Sequence, residues 1–235
     1  MPGDVALRDR LADVRDRIAR AAARSGRDPS RIRLVAVSKT FDAASVRALA
    51  GNGQTDFGEN KVQEAQQKRA QTADLPIAWH FIGHLQSNKA RKAAVLFDVI
   101  QSIDEPSLVR KLEDAAIEAG RRIELLVQVD LGGEPTKHGA READLPGIFE
   151  AARACSATRV TGLMMIPPAS ADPEGARRWF RELAAVRDRL LAQGVDAAML
   201  AELSMGMSQD FEIAVEEGAT LVRVGTALFG GRAPA

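Results

Sequence analysis

Eight short apolar runs, each followed by a stretch with helical periodicity, constrain this chain more than any other feature of its sequence. Several runs are almost continuously apolar, which is typical of parallel strands that are covered on both faces. Strands and helices alternate along nearly the whole chain, and this alternation predicts a parallel α/β fold. The predicted strands are residues 32–38, 55–58, 78–83, 97–102, 123–130, 159–166, 198–204 and 220–225.

The number of repeats selects between the two common parallel architectures. Eight strand–helix units in 235 residues predict a closed (β/α)8 TIM barrel. A doubly wound open sheet is the alternative, but no glycine-rich dinucleotide fingerprint follows the first strand. An extra amphipathic helix is predicted at about residues 4–24, before the first strand. Since no linker rich in Pro, Gly and Ser interrupts the repeats, we expect a single domain over residues 1–235.

Capping signals predict where two of the helices begin. Asp104 precedes the amphipathic stretch SLVRKLEDAAIEAG and is a candidate N-cap, because its carboxylate can accept from the first N–H groups. Asp172 is likewise a candidate N-cap, with Pro173 in the first turn, at the start of a long helix that ends near Gly194.

Charge and cysteine content exclude some classes of partner. Lys+Arg and Asp+Glu both number 32, which disfavours a general nucleic-acid binder. The charged N-terminus has no apolar signal core, and no run approaches the ~18 apolar residues that a membrane span needs. The single cysteine, Cys155, forms no intrachain disulfide and is interpreted as a small buried residue. We therefore expect a cytoplasmic protein that binds neither membrane nor nucleic acid.

The first strand ends in a lysine. Alternation puts Val35, Val37 and Lys39 on one face of the run LVAVSKT. In one interpretation Lys39 keeps its ammonium in water while its stem covers apolar surface. In the other, this face lines the barrel, and the amine is placed to attack a carbonyl as a Schiff-base lysine. Position alone leaves both interpretations open.

The last strand ends near the same place. Leu221, Arg223 and Gly225 share one face, so Arg223 is expected in the same barrel mouth as Lys39. Thr226 then opens a short apolar helix, and helix N-termini after the last strands of such barrels often bind phosphate. A structural ion pair of Arg223 beside a tight turn is the alternative.

The loop LSMGMSQD is the other half of this candidate phosphate site. Ser204 and Ser208 carry hydroxyl groups, and Gly206 permits a nest of backbone N–H groups. Alternatively, Ser208 or Asp210 caps the following helix, FEIAVEEG.

In FGENK, Asn60 is interpreted equally well as a helix cap or as a ligand contact. Glu59 and Glu64 are expected to be helix-dipole or surface groups.

The histidines do not predict a metal site. His80 lies in the third predicted strand and His84 directly follows it, but no H-E-x-x-H pattern or third ligand lies near them. Lys137 and His138 follow the fifth strand in a loop that is expected to be solvated, with a gating role as the alternative.

One ordered set of motifs carries a family resemblance: AVSKT, FGEN with VQE, WHFIGHLQSNK, QSID, KHG, GLMMIPP, LSMGMSQDFEIAVEEG and VRVGTALFG. Over about residues 5–230, the sequence closely resembles the pyridoxal phosphate (PLP) homeostasis proteins. The resemblance implies a barrel similar to the N-terminal domain of alanine racemase.

The resemblance also implies cofactor contacts. Lys39 matches the lysine that holds PLP as a covalent imine, and Arg223 matches the arginine that faces the pyridine nitrogen. Lys61 departs from the tyrosine of many relatives. Further implied positions in the phosphate site or the pocket motifs are Asn60, His80, Ser204, Met205, Gly206, Gly225 and Thr226.

The function that fits the resemblance is a non-catalytic PLP carrier, and a lone barrel is expected to be a monomer. It would hold the reactive aldehyde and supply it to PLP-dependent apo-enzymes or to vitamin B6 salvage enzymes. The alternative is a low-activity amino-acid racemase. Alanine racemase uses a tyrosine from a partner subunit as its second base, and this chain contains no tyrosine. A barrel aldolase, which uses a lysine without PLP, is a third class.

Overall fold

Eight parallel strands pair in sequence order and close into a barrel, as the repeat predicts. The computed structural model describes residues 2–133 and 138–231. Closure comes from β1 and β8, whose register pairs Val35 with Arg223. The strands are β1 (Arg33–Val37), β2 (Asp56–Glu59), β3 (Ala78–Phe81), β4 (Val99–Ile103), β5 (Ile123–Gln128), β6 (Thr158–Met164), β7 (Glu202–Ser204) and β8 (Leu221–Val224).

Helices follow the strands and surround the barrel. Short 3-10 turns at Pro29–Arg31, Ser87–Lys89, Glu142–Asp144, Pro173–Ala176 and Ala197–Met199 join some of the elements. The α-helices are α1 (Pro2–Arg24), α2 (Ala43–Gly51), α3 (Val62–Gln71), α4 (Ala90–Leu96), α5 (Pro106–Glu118), α6 (Leu145–Arg153), α7 (Arg177–Ala192), α8 (Phe211–Glu216) and α9 (Thr226–Phe229). None of the described helices is long and apolar enough to span a membrane.

The predicted N-terminal helix is present as α1. Leu11, Val14, Ile18 and Ala21 are buried along it, at the spacing of one helical face. This face packs on α2, α8 and α9, so α1 covers the helices next to the seam between β1 and β8.

The two faces of the end strands have the predicted roles. Leu34 and Ala36 of β1 belong to the main hydrophobic core, which includes the helices. Val37, on the other face, lines a cavity together with Lys39 and Arg223. Inside the barrel, Val99, Leu126 and Met164 form a separate small cluster. The alternation therefore directs one face of β1 towards the helices and the other towards the lumen.

One predicted helix cap is wrong. The helix α5 begins at Pro106, and its N-cap position is Glu105, not Asp104. Proline at the first helical position sets this start, because it needs no N–H partner there. The carboxylate of Asp104 points instead towards His84, with Oδ2 3.9 Å from Nδ1. Asp172 accepts from the N–H of Glu174 and so caps the 3-10 turn Pro173–Ala176, which leads directly into α7; the N-cap position of α7 itself is Ala176.

The expectation of a single domain over residues 1–235 includes positions outside the described ranges and stays a prediction.

Candidate functional site

A cavity of about 550 Å³ opens at the carboxyl ends of the strands. Lys39, Asn60 and Arg223 line it, each from a different strand end. In TIM barrels this end carries the functional site, because the loops after the strands converge there. A cavity of about 450 Å³ at the other end is lined by Arg15, Arg33 and other residues outside the predicted site.

The backbone around Lys39 is strained. Thr40, the next residue, has φ of 72°, the only positive value outside glycine among the described residues. A β-branched residue is disfavoured in this left-handed region, and such strain is concentrated at functional sites. The N–H of Thr40 donates to Oε2 of Glu64 at 3.3 Å, which helps to hold the turn.

A buried ion pair supports the strand end that carries Lys39. Oε1 of Glu59 accepts hydrogen bonds from Oγ of Ser38 and Nζ of Lys68, each at 2.6 Å. Lys68 also donates to the carbonyl of Ser38 at 2.7 Å. Burial raises the pKa of Glu59, although Lys68 and Ser38 oppose this shift. The expectation that Glu59 is a dipole or surface group is therefore wrong, since its exposed fraction is 0%.

Asn60 has an unpartnered oxygen. Its Oδ1 is buried and accepts no hydrogen bond from the described residues. The helix α3 is preceded by Lys61 at the N-cap position, so Asn60 does not cap it. Gly83 permits this arrangement, because a Cβ there would lie 2.3 Å from the carbonyl oxygen of Asn60. A buried acceptor without a donor is costly, which favours the interpretation of Asn60 as a ligand contact.

A chain of hydrogen bonds crosses the lumen beneath the cavity and fixes Arg223. Its guanidinium donates to Oγ of Ser204 at 2.6 Å and to the carbonyl of Met165 at 2.7 Å. Ser204 donates in turn to Oε1 of Gln101 at 2.6 Å. Gln101 and His80 are 2.9 Å apart through Nε2 and Nδ1. Because the amide donates to Nδ1, Nε2 carries the proton and donates to Asp56 at 2.9 Å.

Arg223 keeps its charge in this setting. Burial lowers its pKa to about 10, while the charge of Asp210 opposes that shift. The guanidinium therefore remains protonated at neutral pH and presents a fixed cation to the cavity.

The loop after β7 and the start of α9 meet around one hydroxyl group. Oγ of Ser208 accepts from the N–H groups of Gly225 and Ala227, at 3.2 and 3.3 Å. Gly206 has φ of 91°, and a Cβ there would lie 2.5 Å from that of Ala214. The loop therefore needs glycine at this position, and its Ser208 hydroxyl meets the backbone donors at the start of α9.

The two capping alternatives for this loop are not observed. Ser208 bonds to the start of α9, and Oδ1 of Asp210 accepts from the N–H of Met207 at 2.6 Å. Asp210 occupies the N-cap position of α8, but its side chain makes no cap hydrogen bond.

Predicted site residues fall into two groups. Those that line the cavity are Lys39, Asn60, Arg223, Gly225 and Thr226. The remaining four lie outside its lining. His80 and Ser204 belong to the hydrogen-bond chain under Arg223, Met205 is fully buried in the main core, and Gly206 shapes the loop. Their roles as cofactor contacts stay predictions.

The sequence leaves the role of two lysines open. Lys61 points to solvent and pairs with Glu64 at 3.3 Å. Lys137 lies outside the described residues.

Sequence reasoning missed several cavity residues, namely Ile82, Ile166, Gln209 and Ala227. Ile166 and Met207 are among the exposed large hydrophobic residues of the protein. Their positions, at the end of one predicted strand and shortly after another, were the available signal. Residue type was not, because isoleucine and methionine are common in any core.

Comparisons with known proteins agree with this architecture. The family model described as alanine racemase, N-terminal domain, matches residues 10–233. The pyridoxal phosphate homeostasis protein of Pseudomonas aeruginosa is 43% identical over 226 residues, which cover 96% of each chain.

Solved structures give the same result. The structure of PipY from Synechococcus elongatus with PLP bound superposes with a TM-score of 0.84 at 40% identity, covering 95% of this chain and 100% of that one. An alanine racemase of Clostridium difficile shares the fold alone, at 16% identity and a TM-score of 0.73. The matched region covers 98% of this chain and 57% of that racemase.

The fold and the cavity thus define a TIM-barrel protein of the alanine racemase N-terminal type. This chain belongs to the pyridoxal phosphate homeostasis protein family.

Proposed function

We propose that this protein binds PLP in the strand-end cavity and holds its aldehyde as an imine on Lys39. The observation that carries the proposal is the convergence of Lys39, Arg223 and the unpartnered Oδ1 of Asn60 on one cavity. The relative PipY has a structure with PLP bound, and its match covers nearly all of both chains.

The residues present suit the chemistry of this group. When bound, PLP supplies a reactive aldehyde and a pyridine ring that acts as an electron sink. A lysine amine suits the aldehyde. The N–H groups at the start of α9, now directed at Ser208, suit a phosphate. Arg223 suits the ring nitrogen, as the family resemblance implies.

A carrier role is favoured by the charge of Arg223. PLP withdraws electrons most strongly when its ring nitrogen is protonated, and a neighbouring cation disfavours that proton. Because the hydrogen-bond chain beneath the cavity holds Arg223 in place, the protein keeps the ring in its less reactive state. Alanine racemase also pairs the ring with arginine, so an arginine at this position is common to both functions.

The cavity also has few side chains that could transfer protons to and from a substrate. Racemisation by two bases needs a proton-transfer group on each face of the substrate carbon. Among the described cavity-lining residues, the titratable side chains are Lys39, Asp210 and Arg223. The carboxylate of Asp210 already accepts a hydrogen bond from the N–H of Met207, and the chain contains no tyrosine. These features support a reversible binder over an efficient racemase.

We further propose that the protein is a cytoplasmic monomer that passes PLP to apo-enzymes or B6 salvage enzymes. The single cysteine and the balanced charge support this setting. The protein that receives the cofactor is thus any enzyme that requires PLP.

Two experiments test the proposal. The absorbance spectrum of the PLP-loaded protein is recorded before and after borohydride reduction, and the trapped peptide is mapped. A reduced adduct on the peptide containing Lys39 is expected, and an adduct on another lysine would contradict the assignment. Separately, the loaded protein is incubated with several L-amino acids. Sustained appearance of D-enantiomers would overturn the carrier role and favour the racemase.

A further inference from the structure

A second, smaller cavity adjoins the one that contains Lys39. Its volume is about 270 Å³, and it shares Asn60, Ile82 and Ile166 with the larger cavity. His84 and His138 lie on its lining. Neither histidine takes part in the proposed binding of PLP.

Three neighbouring strand ends bring these histidines together with Asp104. His84 follows β3, Asp104 follows β4, and His138 lies in the loop after β5. One potential ligand atom from each of the three side chains lies within 4.8 Å of the other two. No motif in the sequence indicates this set of ligands, because Asp104 and His138 are distant from His84 along the chain.

The backbone that carries His138 is anchored to the barrel. Nε2 of Gln128 donates to the carbonyl of His138 at 2.7 Å. Val129 and Ala140 form an isolated parallel bridge on either side of the loop. Gly139 allows this close approach, since a Cβ there would lie 2.8 Å from the N of Asp130. His138 is therefore held near the barrel rim by contacts with the end of β5 and the two residues that follow it.

The interactions within the cluster do not satisfy Asp104. Its Oδ2 is 3.9 Å from Nδ1 of His84, which is too far for a hydrogen bond. No other described residue forms an ion pair or a side-chain hydrogen bond with Asp104. Its side chain is only 19% exposed. A cation bound between the three side chains would compensate a carboxylate in this position.

We propose that His84, Asp104 and His138 form a binding site for a zinc-type divalent cation. Two imidazole nitrogens and one carboxylate oxygen are a ligand set that zinc uses in sites with an open fourth position. Magnesium and calcium prefer oxygen ligands, so the two imidazoles select against them. The fourth position faces the smaller cavity and takes water or an anionic group of a small molecule.

Binding requires a small rearrangement that the side chains allow. The two imidazole rings are stacked, with centroids 3.5 Å apart and planes at 9°. Parallel rings direct their lone pairs along parallel lines, so one ring must rotate about χ2, a torsion with a broad minimum. The His84–Asp104 pair must also approach by ~0.6 Å to reach tetrahedral zinc distances.

Zinc binding is measured on protein purified without a histidine tag, freed of metal with a chelator and then dialysed. Competition for zinc against a chromophoric chelator, at about pH 7.5, gives stoichiometry and affinity while the imidazoles are available. One saturable zinc site per chain is expected. Cobalt substituted for zinc should show the visible bands of low-coordinate Co²⁺, which report on the ligand geometry.

His84→Asn, Asp104→Asn and His138→Asn should each weaken zinc binding by at least about tenfold. Glu105→Gln is the matched control, because it removes a neighbouring carboxylate outside the cluster and should leave the affinity unchanged. Thermal unfolding of each variant verifies the fold. Absence of saturable zinc binding by the wild-type protein, or equal affinity in the three cluster variants, would overturn the proposal. PLP absorbance is recorded separately, since neither result depends on Lys39.

Discussion

The carboxylate of Glu59 and the ammonium of Lys68 lie 2.6 Å apart, both buried, behind the strand end that carries Lys39. Removing one partner leaves an uncompensated buried charge, which typically costs ~3–5 kcal/mol. We therefore expect Lys68→Met to lower the free energy of unfolding by about this amount in urea titrations. The double variant Glu59→Gln/Lys68→Met should recover a large part of it, because neither charge then remains.

The matched control is Lys61→Met, in the same segment. Its pair with Glu64 is exposed, so we expect a change below about 1 kcal/mol. Equal losses in Lys61→Met and Lys68→Met would show that burial of the Glu59 pair is not the cause.

Lys39→Ala should abolish the visible absorbance of the bound imine and its trapping by borohydride. The reason is that no other lysine lines the described part of the cavity. Lys61→Ala is the control, since its side chain points to solvent, and it should leave the spectrum unchanged. An unchanged, trappable imine in Lys39→Ala would show that another lysine holds the cofactor.

Arg223→Gln should change the position of the absorbance band of bound PLP while trapping on Lys39 persists. The amide can still bond to Ser204 or to the carbonyl of Met165, but the cation near the ring is lost. Arg223→Glu should have a larger effect on the spectrum, and it also places a second carboxylate near Asp210. A band unaltered in both variants would exclude Arg223 from contact with the ring.

Ser208→Ala should weaken PLP binding by about tenfold, the magnitude of one hydrogen bond to a charged group. Its hydroxyl lies at the N–H groups of Gly225 and Ala227, where we place the phosphate. Pyridoxal, which lacks the phosphate, is the control ligand and should lose little affinity. If fluorescence titrations show that PLP and pyridoxal lose affinity equally, the phosphate is bound elsewhere.

Glu113 gives a prediction for pH. It accepts from the N–H groups of Ser156, Ala157 and Thr158, at 2.7, 3.1 and 2.7 Å. Burial opposes these bonds, but the net effect lowers the pKa of Glu113 from 4.5 to about 2. A carboxyl group whose pKa falls on folding stabilises the protein above its unfolded pKa. That contribution is lost as the pH falls from about 4.5 to about 2.

Glu113→Gln should accordingly lower the free energy of unfolding by ~1–2 kcal/mol at neutral pH, after allowance for solvent exposure. The difference from the wild-type protein should shrink as the pH falls through this window. Chemical unfolding at a series of pH values measures it. A difference that stays constant down to the acid limit would assign the effect to packing rather than to the charge.

Much of the fold could be predicted because its determinants are local. Eight strands overlap the predicted apolar runs, and α1 follows from the spacing of Leu11, Val14 and Ile18. The seventh run, predicted as a strand over residues 198–204, is a strand only at Glu202–Ser204, because Ala197–Met199 form a 3-10 turn. The shared face of Val37 and Lys39 follows from alternation along a single strand. The misplaced cap at Asp104 is also local, since Glu105 and Pro106 define the start of α5.

The sequence by itself determined the order of strands and helices, the family, and the positions of Lys39 and Arg223 at strand ends. Only the tertiary structure decided that Glu59 is buried on Lys68, that Ser208 meets the start of α9, and that His84, Asp104 and His138 converge. These contacts join residues from different loops and helices. Their distances depend on how the barrel closes, which no pattern within one segment specifies.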